Sequence, residues 1–232
     1  MQLKSVGYHI YFEDYSFSYL EEFLHEHLFS SVFILCDKKT FKYCLPLFQE
    51  RNGSLRGAKV IVMPEGERNK TLATLTSVWS GLLAGGADRR SLLICLGGGV
   101  VCDLGGFAAS TFKRGISFIH VPTSLLAMAD ASVGGKTGVD FKGYKNIIGS
   151  ITQPQGVFIF GGFLDTLVKR QMDNGLAEIV KAALIGDQRL WRKFLKLKKL
   201  PQRDVLPFIR ASVKVKNEIV VKDPNERNVR KT

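Results

Sequence analysis

The sequence contains no long hydrophobic run. No window approaches the roughly 18 to 20 consecutive apolar residues that a membrane-spanning helix requires. The first ten residues, MQLKSVGYHI, lack the basic and then apolar layout of a secretory signal. With 232 residues, of which 45% are hydrophobic, the chain can still bury a substantial core. These features exclude wholesale disorder and predict a cytoplasmic protein with no membrane partner.

Cysteine and histidine are both scarce, with four residues of each. The cysteines show no C-x-x-C spacing, and two of them lie inside apolar runs, which predicts reduced, partly buried thiols rather than a disulfide or a zinc site. The histidines are scattered, so we expect them to be structural or solvated rather than metal ligands. The residues concerned are Cys36, Cys44, Cys95 and Cys102, and His9, His25, His27 and His120.

Acidic residues are outnumbered by basic ones, 21 to 33, which gives a formal charge of +12. Such an excess suggests a nucleic-acid partner, but it is concentrated near the end of the chain. Between Gln188 and Thr232, 14 Lys and Arg stand against 4 Asp and Glu. The run WRKFLKLKKL in this segment is typical of an amphipathic helix and lacks stacking aromatics between its cations. We therefore predict no nucleic-acid partner.

Short apolar runs alternate with helix-like segments, which predicts an α/β fold with a mostly parallel sheet covered on both faces. The runs occupy 31–37, 58–64, 91–98 and 116–123, and a last strand-like piece covers 158–162. Between the second and third runs, Leu72, Leu75, Trp79, Leu82 and Leu83 recur at the spacing of a helix that buries one face. Three helical segments follow from about Lys169. We predict two domains, a Rossmann-like α/β domain over 1–168 and an incomplete all-helical domain over 169–232.

A glycine-rich turn, LGGGVVCDLGG, links a predicted strand to a predicted helix at 96–106. Such a turn lets backbone N–H groups approach a phosphate, although a tight connection without a ligand, with Asp103 as a simple cap, is the alternative. It does not match G-x-G-x-x-G, because Cys102 replaces the third glycine. Glu65, Glu67 and Lys70 follow another strand end, where α/β sheets place their ligands; an ordinary charged turn is the alternative.

The stretch from Pro122 to Asn146 is rich in small residues and predicts a long segment without regular structure, which is usually functional. Its lysines and amide suit an anion, and Asp130 suits a substrate hydroxyl; a solvated surface loop is the alternative. Further along, Glu178 and Lys181 share one helical face. This spacing predicts a structural ion pair, and a metal ligand at Glu178 is the alternative.

In their order and spacing, the segments PEGExxK, GGGVVCDLGGFAAS, FKRG, HVPTSLLAMADASVGGKTGVD, GYKNIIGS and GLAEIVKAALI closely resemble the 3-dehydroquinate synthase family. The resemblance covers about 30–230. It implies conversion of 3-deoxy-D-arabino-heptulosonate 7-phosphate to 3-dehydroquinate and phosphate in the shikimate pathway. It also implies NAD and a divalent metal, zinc or cobalt, as cofactors, a small sugar phosphate as substrate, and a homodimer.

The resemblance also implies roles for individual residues. The expected NAD contacts are Asp37, Glu65, Glu67, Lys70, Gly98, Gly99, Asp103, Thr123, Ser124, Lys136, Lys145, Phe163 and Thr166. The expected substrate-facing and catalytic residues are Asp130, Lys136, Lys145, Asn146, Lys181, Lys216 and Arg230, with Arg114 reaching the site of the partner subunit. Glu178 is the expected metal ligand.

Several positions depart from the family pattern. Ser124 stands where a second threonine is usual, Cys102 where a glycine is usual, and Asn228-Val229 where Gly-Leu is usual. The segment that provides two further histidine ligands in the family does not precede Thr232. We therefore expect a C-terminally truncated member with an incomplete metal site, which binds NAD weakly and turns over little substrate. The alternatives are another sugar-phosphate cyclase, an NAD-dependent polyol dehydrogenase of the same superfamily, or a non-catalytic NAD-binding remnant.

Overall fold

A seven-stranded sheet forms the centre of the molecule in the computed structural model, which describes residues 2–13, 15–196 and 204–227. Its strands lie in the order β1-β2-β9-β6-β5-β3-β4, and all neighbouring pairs are parallel except β1 with β2. The four predicted apolar runs form β3 to β6, each within one residue of the expected bounds. The strands are β1 (Gln2–Lys4), β2 (His9–Phe12), β3 (Val32–Asp37), β4 (Lys59–Met63), β5 (Leu92–Gly97), β6 (Ser117–Pro122) and β9 (Gly156–Ile159).

Helices cover both faces of this sheet, so each central strand sends alternate side chains into two separate cores. Ile34, Ile94 and Ile119 belong to the core beneath α1, α3 and the last helices. Phe33 and Leu93 belong to the core beneath α4 and α5. This arrangement confirms the predicted parallel sheet covered on both faces. The helices before residue 160 are α1 (Tyr15–Glu26), α2 (Lys38–Tyr43), α3 (Leu45–Arg51), α4 (Leu72–Ala84) and α5 (Gly99–Thr111).

Helix α4 forms where the sequence predicted it, but its buried face is rotated from the predicted one. Leu75 and Leu82 are fully buried, together with Thr74 and Val78. Leu83, by contrast, is 66% exposed. The sheet selects the stripe of Leu75, Val78 and Leu82, and Leu83 lies beside that stripe on the solvent side.

The segment 122–146 is not the long irregular stretch that its small residues predicted. A π-helical turn covers Ala127–Ala131, and an antiparallel hairpin follows, formed by β7 (Lys136–Phe141) and β8 (Tyr144–Ile151). Glycines allow the two strands to pair closely, because Gly138 lies opposite Gly149 and a Cβ atom on Gly149 would be 2.0 Å from the carbonyl oxygen of Thr137. The prediction of irregular structure was therefore wrong.

The predicted helical region is observed as α6 (Lys169–Gly186), α7 (Gln188–Leu195) and α8 (Leu206–Lys222). Residues 197–203 and 228–232 lie outside the described residues. Met172, Ile179 and Val213 of these helices share one buried cluster with residues of the α/β part. The division into domains at residue 168 stays a prediction. No helix within the described ranges is long and apolar enough to cross a membrane.

Candidate functional site at the carboxyl edge of the sheet

The glycine-rich turn connects β5 to α5 at the carboxyl edge of the sheet. Gly98 is the N-cap of α5, and no side chain caps the first turn of this helix. The turn is crowded, since a Cβ atom on Gly97 would lie 2.5 Å from the Cβ atom of Val101, and one on Gly98 would lie 3.3 Å from Oγ of Ser124. The N–H group of Thr123 donates to the carbonyl of Gly97 over 2.9 Å, which holds the ends of β5 and β6 together.

The residues at the neighbouring strand ends that are expected to contact NAD make hydrogen bonds, ion pairs or packing contacts within the protein. Asp37 is the N-cap of α2, where its Oδ1 atom accepts the N–H groups of Lys39 and Thr40 at 2.9 and 2.8 Å. Glu65, after β4, pairs with Lys39 at 3.4 Å, and Glu67 pairs with Lys145 at 3.3 Å. Phe163 and Thr166 lie in the short 3-10 helix after β9, and Phe163 is buried. All of these positions follow carboxyl ends of strands or face them across the site.

Lys70 is a buried charged residue at this edge, with 3% of its surface exposed. Its Nζ atom donates to Oδ2 of Asp103 at 2.5 Å and to Oδ1 of Asn146. Burial raises the pKa of Asp103, against the opposing effect of the Lys70 charge. Asp103 is thus not the cap of α5, which corrects the alternative drawn from the sequence. It is the carboxylate partner of a buried lysine.

Asp130 and Lys216 form a second charged contact, between the π-helical turn and α8. Nζ of Lys216 lies 2.7 Å from Oδ1 of Asp130 and donates to the Asp130 carbonyl over 2.6 Å. Burial raises the pKa of Asp130, but the charge and hydrogen bond of Lys216, with the charges of Lys181 and Lys136, outweigh it and hold that pKa below its ordinary value. Asp130 is therefore ionised at neutral pH and faces three cations.

A cavity of about 550 Å³ lies between α5, the π-helical turn, the β7–β8 hairpin and α8. Five of the residues predicted for the site line it, and Lys70 joins them through its bonds to two of the five. Lys136 is held in this cavity by an ion pair with Glu226. The five predicted lining residues are Asp103, Asp130, Lys136, Asn146 and Lys216.

Other predicted residues do not line this cavity. Lys181 and Glu178 pair with each other at 3.0 Å on α6, and this hydrogen bond raises the pKa of Lys181. Arg114 follows α5 at the amino edge of the sheet, in a separate concavity with Arg89 and Lys113. Arg230 lies outside the described residues.

Sequence reasoning missed two residues of this edge, Glu226 and Asp140. Glu226 lines the cavity beside Lys136. Asp140 accepts the N–H group of Asn146 at its Oδ1 atom over 2.8 Å. Asp140 ends the quoted segment HVPTSLLAMADASVGGKTGVD, and Glu226 stands in a charged stretch after α8, but neither was assigned a role from the sequence. Only the pairing of β7 with β8 and the position of α8 bring them to the site.

The residues present fit a dinucleotide better than they fit a metal. The crowded glycines and the uncapped start of α5 leave main-chain N–H groups available for a pyrophosphate. Among the residues that the structure describes, no three His, Cys, Asp or Glu side chains come close enough to hold a metal ion. All four cysteines are free and buried, as predicted, and burial raises the pKa of Cys36 to about 12 and of Cys44 to about 11.

The parallel sheet, its two helical layers and the charged carboxyl-edge cleft define a Rossmann-like α/β protein. Two family models match the chain: 3-dehydroquinate synthase N-terminal over residues 60–174 and 3-dehydroquinate synthase C-terminal over residues 175–232. The chain belongs to the 3-dehydroquinate synthase family.

Individual relatives agree with this assignment. A 3-dehydroquinate synthase from Parabacteroides distasonis is 40% identical over 216 residues, covering 92% of this chain and 61% of that protein. A structure of 2-deoxy-scyllo-inosose synthase complexed with carbaglucose-6-phosphate, NAD+ and Co2+ superposes with a TM-score of 0.83 at 25% identity, covering 98% of this chain and 65% of its own. The 2-epi-5-epi-valiolone synthase from Streptomyces hygroscopicus, with NAD+ and Zn2+ bound, gives 0.80 at 28% identity, covering 97% and 64%. The chain spans from about half to three fifths of the length of the first curated relatives that it matches.

Proposed function

We propose that this chain carries the NAD-binding and sugar-phosphate-binding edge of a 3-dehydroquinate synthase. The reaction would convert 3-deoxy-D-arabino-heptulosonate 7-phosphate to 3-dehydroquinate and phosphate. The observation that carries the proposal is the single cavity in which Asp103, Asp130, Lys136, Asn146 and Lys216 meet. Two lysines and an amide in such a cavity suit a phosphorylated and carboxylated substrate.

The roles follow from the chemistry of each side chain. Bound NAD would supply hydride-transfer chemistry, as the temporary acceptor of a hydride from a ring carbon that bears a hydroxyl group. Lys136 and Lys216 would bind the anionic groups of the substrate by charge-assisted hydrogen bonds, after exchanging their present carboxylate partners for them. Asp130, ionised because Lys216, Lys181 and Lys136 lower its pKa, would accept a hydrogen bond from a substrate hydroxyl. Lys70, buried between Asp103 and Asn146, would hold those two side chains in place.

Titration of NAD into the chain tests this proposal directly. We expect binding to the wild type and a loss of at least tenfold in affinity for Gly98→Val, because the added side chain fills the approach to the first turn of α5. Gly53→Val is a matched control, since no atom lies within 4 Å of a Cβ atom at Gly53. Equal affinity of the wild type and G98V, or no binding by the wild type, would contradict the proposal.

A related cyclase activity is the second candidate, because two superposed structures are synthases named for other products, 2-deoxy-scyllo-inosose and 2-epi-5-epi-valiolone. The higher identity to 3-dehydroquinate synthase favours the first candidate. Titration of a panel of sugar phosphates into the NAD-loaded chain separates the two candidates. We expect the heptulosonate phosphate to bind most tightly. An NAD-binding remnant would bind none of them.

The homodimer, the metal and the cytoplasmic location stay proposals. We place Arg114 toward the cleft of a second copy, since it lies at the edge opposite to its own cavity. Sedimentation at several protein concentrations tests for the dimer. Glu178 remains the only proposed ligand for zinc or cobalt, and no step is assigned to the metal, because the described residues do not assemble a site.

A further inference from the structure

Asp140, in the β7–β8 hairpin, makes two contacts that join the hairpin to the turn after β4 and hold its own second strand. Its N–H group donates to the carbonyl of Lys70 over 2.8 Å, and this contact forms part of an isolated parallel bridge between Thr71 and Asp140. Its Oδ1 atom accepts the N–H group of Asn146 over 2.8 Å. Asp140 therefore contacts both of the chain segments that supply Lys70 and Asn146.

These contacts close a ring. Lys70 donates through its Nζ atom to the side-chain oxygen of Asn146, while its main-chain carbonyl accepts from Asp140, whose carboxylate in turn holds the main chain of Asn146. Lys70 also reaches Asp103 on α5 at 2.5 Å. The hairpin, the turn after β4 and the helix after the glycine-rich turn are thus connected by four polar contacts around one buried ammonium group.

The backbone conformations at Asp140 and Asn146 bring these two residues into contact. The register of the hairpin shifts between Val139 and Phe141, so Asp140 sits at a bulge that redirects its side chain toward Asn146. Asn146 has φ of +54°, in the left-handed region, which asparagine adopts more readily than most residues other than glycine. This conformation directs the N–H group of Asn146 to the carboxylate of Asp140, which accepts it over 2.8 Å.

We infer that Asp140 is a positioning residue for ligand binding, which fixes the amide of Asn146 and, through it, the ammonium group of Lys70. The inference rests on the proposed function, because it assumes that Asn146 and Lys70 contact the NAD or the sugar phosphate. Asp140 does not line the cavity among the described residues, so it acts on the ligand only through those two neighbours. Neither the sequence pattern nor the family resemblance assigned it a role.

The test compares two substitutions of Asp140 that differ in one hydrogen-bond acceptor. Asp140→Ala removes the acceptor for the Asn146 N–H group but leaves the main-chain bond to Lys70, whereas Asp140→Asn keeps an oxygen at the same place. We expect NAD affinity to fall about tenfold in D140A, the size of one lost hydrogen bond, and to stay within about twofold of wild type in D140N, which keeps an acceptor. Asp173→Ala, which removes an exposed i,i+4 pair with Lys169, is the matched control and should bind as wild type.

Hydrogen exchange at the Asn146 amide provides a readout that does not depend on any ligand. Exchange should be at least tenfold faster in D140A than in D140N or the wild type, with unchanged thermal unfolding midpoints for all three. If D140A and the wild type bind NAD equally, or if D140N is as weak as D140A, the positioning role is wrong. If the wild type binds no NAD while the Asn146 amide is protected only when residue 140 has an acceptor, the proposed function fails and the restraint on Asn146 stands.

Discussion

At the scale of single residues, the cleft depends on charges that are buried to different degrees. Lys70 is 3% exposed, whereas Lys145 has 72% of its side chain exposed, although both lysines pair with a carboxylate near the carboxyl edge of the sheet. A buried cation that loses its partner is costly, and an exposed pair contributes little. The two lysines should therefore respond very differently to the same substitution.

We predict that Lys70→Met lowers the free energy of unfolding by about 2 to 3 kcal/mol, because the carboxylate of Asp103 and the oxygen of Asn146 lose their shared donor. Lys145→Met should lower it by less than about 1 kcal/mol. Urea denaturation of both variants at pH 7 measures the difference. Equal destabilisation would show that the Lys70 pair is no stronger than a surface contact.

His120 makes stability depend on pH. It is buried in the middle of β6, its Nδ1 atom has no hydrogen-bond partner among the described residues, and burial lowers its pKa to about 3. The folded chain keeps this ring neutral, while the unfolded chain protonates it near pH 6.5, so acid favours unfolding. The neutral His120 ring makes its full contribution to the free energy of unfolding above pH 6.5, and this contribution is lost as the pH falls toward 3.

We predict that each pH unit below 6.5 costs the wild type up to about 1.4 kcal/mol through this group, and that His120→Leu removes that part of the loss. Urea titrations of the wild type and H120L at pH 7, 6, 5 and 4 measure it. His25→Leu, on the exposed side of α1, should keep the acid sensitivity of the wild type. A parallel decline of H120L and wild type would exclude His120 as the cause.

At the scale of elements, sequence patterns predicted the strands best where a segment is buried on both of its faces. Strands β3, β5 and β6 are short apolar runs that are buried along most of their length, and their alternation with helices predicted a parallel sheet. The apolar run of β4 was also recognised, although this edge strand is partly exposed. The hairpin β7–β8 could not be predicted in this way, because its glycines pair backbone against backbone and its outer residues, such as Tyr144 and Ile147, are exposed. The strands β1 and β2, the outermost pair on one side of the sheet, are only three and four residues long and carry no distinctive period.

The residues of the candidate site likewise include some that the sequence identified and some that it did not. Residues carried by a dense motif, such as Asp103 and Lys136, were named from the sequence, and the structure brings five predicted residues into one cavity. Asp140 and Glu226 were missed, because each acts on a residue that is distant in sequence or across a turn. A carboxylate reveals such a role only through the geometry of its partner.

We predict that the tight glycine contact of the hairpin controls both its stability and the cavity that it lines. A Cβ atom on Gly149 would overlap the Thr137 carbonyl, so Gly149→Ala should lower the free energy of unfolding by about 1 to 3 kcal/mol and weaken NAD binding. Gly53→Ala, in open surroundings, should do neither. Chemical denaturation and NAD titration of both variants decide this. An unchanged G149A would show that β7 and β8 can separate at no cost.

At the scale of the whole molecule, separate parts of the chain meet at the carboxyl edge of the sheet. The cavity takes residues from α5, the π-helical turn, the hairpin and the end of α8. Lys216 of α8 reaches across to Asp130, so the last described helix is tied to the sheet by the cleft itself. A ligand that bridges these elements should therefore stabilise all of them together, since binding to the folded state alone shifts the unfolding equilibrium.

We predict that NAD at one hundred times its dissociation constant raises the free energy of unfolding by about 2.7 kcal/mol. For a chain of this size the corresponding rise in Tm is roughly 5 to 10 °C. Thermal unfolding followed by circular dichroism should show this shift as one cooperative transition, because the cavity joins the sheet to α8. At the same NAD concentration, a loss of at least tenfold in affinity should reduce the shift in Gly98→Val to about half or less, and Asp173→Ala should retain the full shift. If NAD raised the transition of one part of the chain and left a second transition in place, the cleft would not couple α8 to the sheet, and Lys216 would not belong to the NAD-linked site.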